Sequence, residues 1–241
     1  MREFKTFNML GLQVASVSAK DVLEVITDAL STGSRVIITY ANYHTLNLCS
    51  DSHIQQTIAG FSLIHPDGIG TYLGSKLLFG SNGLANRLTG SDIYNHIIND
   101  SAFANEKLFF FGDTAVTIQT LLQNIPASRM AGAICGFNFS TGDVITEINI
   151  SKPGILFVGL GTPLQENWIT ANYAKINCPV IIAVGEGIKV FAGAKKRGPE
   201  WVQSAGLEWA VRFLYQPEYL WKRYMLGFPL FLFRIFKQKF L

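Results

Sequence analysis

The stretch SLIHPDGIGTYLG, residues 62–74, runs from an apolar segment through an acidic residue into a series of glycines. A short apolar run that ends in turn residues is typical of a buried strand. A strand followed by a tight turn and a helix is the repeating unit of α/β proteins. The turn itself has three interpretations: a nucleotide-binding turn, a catalytic loop, or only a tight connection between a strand and a helix.

Apolar runs of the same kind recur along the chain. They predict strands at residues 10–15, 35–40, 61–64, 107–111, 130–135, 154–158 and 180–184. Between them lie helical patterns, one after a candidate N-cap at Ser18 and another after Thr89. This alternation predicts a Rossmann-like α/β fold, a mainly parallel sheet with helices on both faces. We assign this domain to residues 1–195, and a helical, basic and aromatic C-terminal appendage to residues 196–241.

The composition excludes several classes of protein. With 49% apolar and 15% charged residues, the chain is globular rather than disordered. No apolar run reaches the roughly 18 residues of a membrane-spanning helix. The first residues lack the apolar core of a signal peptide. Three cysteines without C-x-x-C spacing argue against a zinc site or a disulfide framework, and favour a cytoplasmic protein.

Positive charge is concentrated near the C-terminal end. Residues 195–241 hold nine lysines and arginines against three glutamates, although the whole chain carries only +3. This asymmetry predicts an anionic partner, either phosphate groups or a membrane surface. Aromatic residues are interleaved with the cations, and residues 228–233 form a short apolar run. We expect residues 225–241 to lie in a membrane interface or an oligomer interface, and residues 199–216 either to do the same or to pack on the core.

Ligands of open α/β sheets bind beyond the carboxyl ends of the strands, which makes residues 65–70 a candidate site. The glycines at 68, 70 and 74 miss the dinucleotide fingerprint by one position, and Arg87 stands where the ribose-binding acid would be. These departures argue against an oxidoreductase. Asp67 is then either a carboxylate at the lip of the crevice, able to take a proton, or part of an ordinary Pro-Asp-Gly turn.

The stretch GLGTPLQE, residues 159–166, follows another predicted strand. Thr162 is expected to cap a helix with Pro163 at its first position. A glycine-rich turn that enters a helix is a ready anion site. A capped helix without any ligand is an equally good interpretation of the local sequence.

Six stretches together resemble the WecG/TagA/CpsF glycosyltransferases, which add a sugar from a nucleotide donor to a polyprenyl-diphosphate-linked acceptor. They are PDGIG (66–70), RLTGSD (87–92), FFFGD (109–113), ILFVGLGTPLQENWI (155–169), AGAKKRGPEW (192–201) and GLEWAVRFLYQPEYLWKRY (206–224). The resemblance implies a UDP-sugar donor, a lipid-linked saccharide acceptor and the inner face of the plasma membrane as partners. It implies no nucleic acid, and homo-oligomerisation is left open.

The resemblance also assigns catalytic residues. Asp67 matches the family's proposed base, which would deprotonate the acceptor hydroxyl in an inverting transfer. Asn42 matches the Asn of the family's T-x-N turn, and either Thr39 or Tyr40 takes the Thr position. The neighbouring His65 is not expected to take part.

Substrate-binding positions follow from the same comparison. Arg87 would bind diphosphate or acceptor, unless it is a surface residue paired with Asp92. The remaining assigned residues are Gly68, Gly159, Gly161, Thr162, Gln165, Glu186, Arg212 and Arg223, of which the two arginines would reach the donor diphosphate. The chain has no D-x-D motif, so we expect neither a metal nor another cofactor.

Two departures from the family concern the choice of sugar. Where many members read GG-x-FD, this chain has GEGIK at residues 185–189, with Ile188 and Lys189 in place of the aromatic and the acid. Residues 135–138 also lack the His and Tyr that many members carry there. The family's sugars are N-acetylmannosamine, its uronic acid and other hexoses, and the sequence does not choose among them. A non-catalytic assembly protein on the same fold is the alternative function.

Overall fold

A computed structural model of the chain describes residues 2–194, 199, 202, 206, 208–215 and 217–240. The predicted domain boundary between residues 195 and 196 lies outside this part. The backbone of Arg212 is described, but its side chain lies outside the description as well.

The described residues form eight strands: β1 Thr6–Met9, β2 Leu12–Ala15, β3 Val36–Ala41, β4 Leu63–Pro66, β5 Leu108–Gly112, β6 Met130–Ile134, β7 Ile155–Gly159 and β8 Val180–Ala183. Six of them form one parallel sheet in the order β4-β3-β8-β7-β5-β6. The predicted parallel sheet is therefore confirmed. Each predicted strand is found to within about two residues.

The strand predicted at residues 10–15 lies outside the main sheet. It is β2, and it pairs antiparallel with β1, which the sequence pattern did not reveal. Leu10 and Gly11 join the two strands with φ angles of 51° and 88°. Positive φ at both central residues is the two-residue turn that matches the twist of a hairpin.

Twelve α-helices lie in the described part of the chain. They are α1 Ala19–Thr32, α2 Tyr43–Leu48, α3 Ser52–Ala59, α4 Gly68–Phe79, α5 Gly90–Asn99, α6 Ala115–Asn124, α7 Thr141–Ser151, α8 Leu164–Asn172, α9 Gly187–Phe191, α10 Glu208–Tyr215, α11 Pro217–Lys222 and α12 Phe228–Phe240, with π-helical Arg223–Gly227 before the last. Ser18 caps α1 as predicted, and Asp21 completes a capping box with it.

Helices cover both faces of the sheet. Successive strand residues point to opposite sides, and because these strands are apolar throughout, both sides carry apolar side chains that must be buried. On one face Ile38, Phe110 and Phe157 are buried together with apolar residues of α1 and α5. On the other face Ile37 and Phe109 are buried with residues of the hairpin, α7, α8 and α12. The predicted α/β class is confirmed, and the predicted C-terminal helical segment is present.

The last helix docks on the face of α4 that carries glycines. Phe231 and Ile235 of α12 are fully buried. A Cβ placed on Gly74 would lie 2.6 Å from Phe231 Cζ, and one on Gly70 would lie 3.4 Å from Phe228 Cε2. The glycines that follow Asp67 therefore let a second helix approach closely.

Polar contacts extend this docking to the N-terminal hairpin. Gln238 donates from Nε2 to the Asn8 carbonyl oxygen at 2.8 Å, and its Oε1 accepts from the Leu10 N–H at 2.8 Å. The opposite side of α12 remains exposed at Phe233, Phe236 and Phe240.

Candidate functional site

A cavity of about 550 Å³ lies at the carboxyl ends of β4, β3 and β8, under the C-terminal appendage. Two of these strands, β3 and β4, are sequential neighbours, whereas β8 joins β3 from the other half of the sheet. The cavity therefore lies beyond the carboxyl edge of the sheet, which is the edge at which open α/β sheets bind ligands. The polar lining residues include Tyr40, Asn42, Asp67, Arg87, Glu186, Glu208 and Arg223.

Asp67 follows β4 directly and begins α4. Its N–H donates to the Ala41 carbonyl oxygen at 3.0 Å, which fixes the turn against β3. Gly68 has a φ of 80°, so the Gly of the Pro-Asp-Gly sequence meets a backbone requirement. The Asp67 side chain makes no capping bond to its own helix. Its Oδ1 instead accepts from the Gly90 N–H at 3.0 Å, at the start of α5.

Asn42 links the same carboxylate to a third helix. Its Oδ1 accepts from the N–H groups of His44 and Thr45, both at 3.0 Å, and so caps α2. Because that oxygen is occupied, the Nδ2 points the other way and donates to Asp67 Oδ2 at 3.4 Å. Both carboxylate oxygens are thereby oriented, one by a side chain and one by a helix start.

The structure distinguishes Tyr40 from Thr39. Tyr40 lines the cavity. Thr39 is fully buried and donates from Oγ1 to Glu166 Oε1 at 2.9 Å. Residues 40 and 42 lie on one side of the chain and 39 on the other, as the two-residue period of a strand requires. Burial, followed by the nearby Glu166 carboxyl, raises the pKa of Tyr40 to about 12.

Two predicted arginines reach the cavity. Arg87 lies beside the appendage, where a Cβ on Gly206 would be 2.9 Å from its Nη1. Arg223, in the π-helical segment, lies over the Tyr43 ring at 5.7 Å from the ring centroid. Its Nε is buried and has no hydrogen-bond partner among the described residues. The Tyr43 hydroxyl donates to the Arg223 carbonyl oxygen at 3.4 Å, which ties this backbone to α2.

Glu186 and the unusual Lys189 form part of an ion-pair group beside the cavity. Lys189 Nζ lies 3.7 Å from Glu186 Oε1 and 3.8 Å from Asp113 Oδ2. Glu186 lines the cavity. The lysine that replaces the family's acid therefore lies between two carboxylates, and Ile188 beside it is fully buried.

The residues predicted from the GLGTPLQE stretch lie apart from the cavity lining. Gln165 is fully buried, and its Oε1 accepts from the Gly185 N–H at 2.9 Å. Gly159 ends β7 inside the sheet, and Gly161 takes a φ of 82° in the following turn. The predicted cap at Thr162 is wrong, because α8 begins one residue later with Pro163 at its N-cap. The Thr162 hydroxyl donates to Glu166 instead.

The cavity lining also includes aromatic residues that were not predicted at the site, among them Tyr43, Tyr94, Trp209 and Phe228. Tyr43 lies directly after Asn42, so its position next to a predicted site residue was an available signal. Tyr94 is buried, which raises its pKa well above the usual range. Trp209 and Phe228 belong to the appendage. No sequence pattern predicts that the appendage packs over the carboxyl ends of the strands.

Two histidines near the site are held in the neutral form. His65 is fully buried, its Nδ1 lies 2.9 Å from the Pro66 carbonyl oxygen, and burial lowers its pKa. Burial, and then the Arg223 charge, lowers the pKa of His44 to about 4. His65 does not line the cavity.

No helix within residues 2–194 or the described parts of the appendage is long and apolar enough to cross a bilayer. The same residues contain no group of three or more His, Cys, Asp or Glu side chains that could hold a metal ion. Among the described residues of the appendage, the exposed large apolar side chains are Trp209, Leu214, Tyr215, Trp221, Met225, Leu226, Leu230, Phe233, Phe236 and Phe240.

Comparison with known proteins matches almost the whole chain to one family. The family model described as "Glycosyl transferase WecG/TagA/CpsF family" covers residues 7–241. An N-acetylglucosaminyldiphosphoundecaprenol N-acetyl-beta-D-mannosaminyltransferase of Staphylococcus aureus strain NCTC 8325 / PS 47 is 29% identical over 214 residues, covering 86% of this chain and 79% of that protein. The protein of the same name from strain MRSA252 is 30% identical over 217 residues, with the same coverage.

Proposed function

Because this chain belongs to the WecG/TagA/CpsF glycosyl transferase family, we propose that it transfers a hexose from a UDP-sugar to a polyprenyl-diphosphate-linked saccharide. The sugar would be N-acetylmannosamine or a related hexose, in the synthesis of a bacterial surface polysaccharide. Relatives are named for the transfer of N-acetylmannosamine to a diphosphoundecaprenol-linked acceptor. The observation that carries the proposal is the Asp67 carboxylate, which faces the cavity and is oriented at both oxygens.

Asp67 acts as the general base. The acceptor hydroxyl gives its proton to a carboxylate oxygen as its own oxygen attacks the anomeric carbon. The bond from that carbon to the diphosphate oxygen breaks, and UDP leaves from the opposite face, so the configuration inverts. Asn42 and the Gly90 N–H hold the carboxylate at the angle this proton transfer needs.

Positive groups take the charge of the leaving diphosphate. Arg87 from the core and Arg223 from the appendage both line the cavity. The start of α4 at Gly68 also lies on the wall, and a helix N-terminus favours negative charge. Preorganised donors of this kind stabilise developing charge in place of a metal, which supports a metal-independent transfer.

The apolar part of the cavity suits the lipid-linked acceptor. Ile69, Leu73, Met225 and Phe228 line it toward the appendage, whose outer side exposes further aromatic residues. Lysines 222, 237 and 239 accompany them on the described surface. Aromatic and cationic side chains together favour the headgroup region of an anionic membrane. We therefore propose a peripheral location on the inner face of the plasma membrane.

The experiment is an assay of UDP release from a panel of UDP-sugars with a short polyprenyl-diphosphate-saccharide acceptor. Wild-type protein should release UDP from one donor only when the acceptor is present. Asp67→Asn should lower the rate by about 10²–10⁴-fold, the usual contribution of a general base. Asp51→Asn is the matched control, because Asp51 caps α3 and an asparagine also caps well.

Two results would contradict the proposal. Equal losses in Asp67→Asn and Asp51→Asn would show that Asp67 matters only for folding. UDP binding without turnover for every donor and acceptor, in the presence of anionic vesicles, would favour a non-catalytic assembly protein.

A further inference from the structure

Beneath the floor of the cavity lies a buried carboxyl group that the proposed chemistry does not use. Glu166, on α8, is fully buried. Its Oε1 accepts hydrogen bonds from Gln165 Nε2 at 2.8 Å, Thr39 Oγ1 at 2.9 Å and Thr162 Oγ1 at 3.1 Å. A buried polar group that collects three donors onto one oxygen fixes each of those donors in place.

The three donors come from different strand ends. Thr39 belongs to β3, and Thr162 to the turn after β7. Gln165 extends the connection to the turn after β8, because its Oε1 accepts from the Gly185 N–H. One carboxyl group thus connects the ends of the three adjacent strands β3, β8 and β7.

This connection reaches the cavity through Tyr40. Its hydroxyl lies 3.3 Å from Thr162 Oγ1 and 3.4 Å from Gln165 Nε2. It also packs against the turn after β8, where a Cβ on Gly185 would lie 2.5 Å from the phenol oxygen. Tyr40 lines the cavity two residues before Asn42. The position of its ring therefore sets the shape of the cavity floor beside Asn42 and Asp67.

We propose that Glu166 is a positioning residue, whose carboxyl group holds the ends of β3, β7 and β8 together and so fixes the Tyr40 phenol in the cavity wall. The inference rests on the proposed function only for its kinetic readout. Glu166 itself does not line the cavity, so it acts through Thr39, Thr162 and Gln165 rather than on a substrate.

Burial favours the un-ionised form of this acid, which still offers an accepting oxygen to the three donors. Burial raises the pKa of Glu166, although the hydrogen bonds from Gln165, Thr39 and Thr162 act in the opposite direction. Its Oε2 has no hydrogen-bond partner among the described residues, so a negative charge on it would be unsupported. A glutamine at this position keeps the accepting oxygen and the volume, and is therefore the conservative replacement.

The test compares Glu166→Gln, Glu166→Ala and Thr39→Val. Asn172→Ala is the matched control, because Asn172 is also buried on α8 and its amide donates to the Trp168 carbonyl oxygen within that helix. Glu166→Ala should raise the donor KM at least tenfold, and Thr39→Val about threefold to tenfold. Glu166→Gln should stay within about threefold of wild type. Asn172→Ala should lower the melting temperature and leave the donor KM unchanged.

Hydrogen exchange gives a second measurement that needs no ligand. The Gly185 amide should lose protection in Glu166→Ala and keep it in Glu166→Gln, because its acceptor is Gln165. This result stands even if the wild type shows no transfer, so failure of the proposed function is distinguishable. The inference is overturned if Glu166→Gln is as impaired as Glu166→Ala, or if Asn172→Ala changes the donor KM and Gly185 protection to the same extent as Glu166→Ala.

Discussion

A change from Gly74 to Ala tests how the last helix is held. The new methyl group would lie 2.6 Å from Phe231 Cζ and 3.4 Å from Met9 Cε. Alanine is favoured over glycine within a helix by about 1 kcal/mol. Overpacking a filled core costs about 1–3 kcal/mol. We therefore expect Gly74→Ala to lower the global stability by about 0–2 kcal/mol, because the clash with α12 and the helical preference of alanine partly cancel.

The matched control is Gly142→Ala near the start of α7. A Cβ there would have Ser140 Oγ as its nearest neighbour, at 3.9 Å, so the methyl group meets no obstacle. This variant should be neutral or slightly stabilising. The difference between the two alanines isolates the contact between α4 and α12.

A double-mutant cycle gives the sharper test. Phe231→Ala alone should cost about 3–5 kcal/mol, because the ring is fully buried. Once the ring is absent, an alanine at 74 has room and should recover its helical preference. The coupling between the two substitutions should therefore equal the clash, about 1–3 kcal/mol and favourable in sign.

Amide hydrogen exchange across residues 229–240 measures this coupling, at about 1.4 kcal/mol for each tenfold change in protection. Urea unfolding of the same four proteins reports the global stability beside it. Additive losses, with no gain from Gly74→Ala in the Phe231→Ala background, would refute the reasoning that Gly74 serves the approach of α12.

Three further predictions concern the site. Asn42→Asp should keep the cap of α2 but place a second carboxylate beside Asp67. UDP release should therefore fall at least tenfold, while the melting temperature stays within a few degrees. Activity equal to wild type would contradict the role of the Nδ2 group. Arg223→Met removes a charge that lowers the pKa of His44, so that pKa should rise above about 4 in an NMR titration; an unchanged value would mean that the arginine is farther from His44 than the structure places it. Folding raises the pKa of Glu166, so the folded protein binds more protons than the unfolded chain, and stability should fall as pH rises above the unfolded value near 4.5. Glu166→Gln should remove that fall in thermal melts between pH 5 and 8. Parallel curves for both proteins would show that Glu166 does not cause the fall.

The parallel sheet was predictable because each strand is a compact apolar run between turn residues. Residues beyond the carboxyl ends of neighbouring strands meet at one edge, and Asn42 and Asp67 do so as expected. The hairpin strand β1 was missed because residues 6–9 alternate polar and apolar side chains over only four positions. That Tyr40 lines the cavity and Thr39 does not was also within reach, since the two-residue period of a strand puts residue 40 on the side of Asn42.

Other features depend on contacts distant in sequence. Gln165 was predicted to bind substrate, and its side-chain amide makes hydrogen bonds to Gly185 and Glu166 under the cavity floor. The local pattern of α8 does not reveal which of its polar residues face the sheet. Gly70 and Gly74 follow the site motif, yet they accommodate aromatic rings from a helix about 160 residues later. A glycine pattern alone does not distinguish a ligand from a neighbouring helix.

The double engagement of Asn42 limits how this enzyme can be redesigned. One side chain both starts a helix and aims the proposed base, so a substitution there changes the scaffold and the chemistry together. Attempts to alter acceptor preference would do better on the apolar side of the cavity, which Leu73 and Met225 help to form. Leu73 and Met225 line that side, are 46% and 55% exposed, and can be exchanged without disturbing the cap. A redesigned cavity must therefore keep Asn42 unchanged, whereas Leu73 and Met225 are open to substitution.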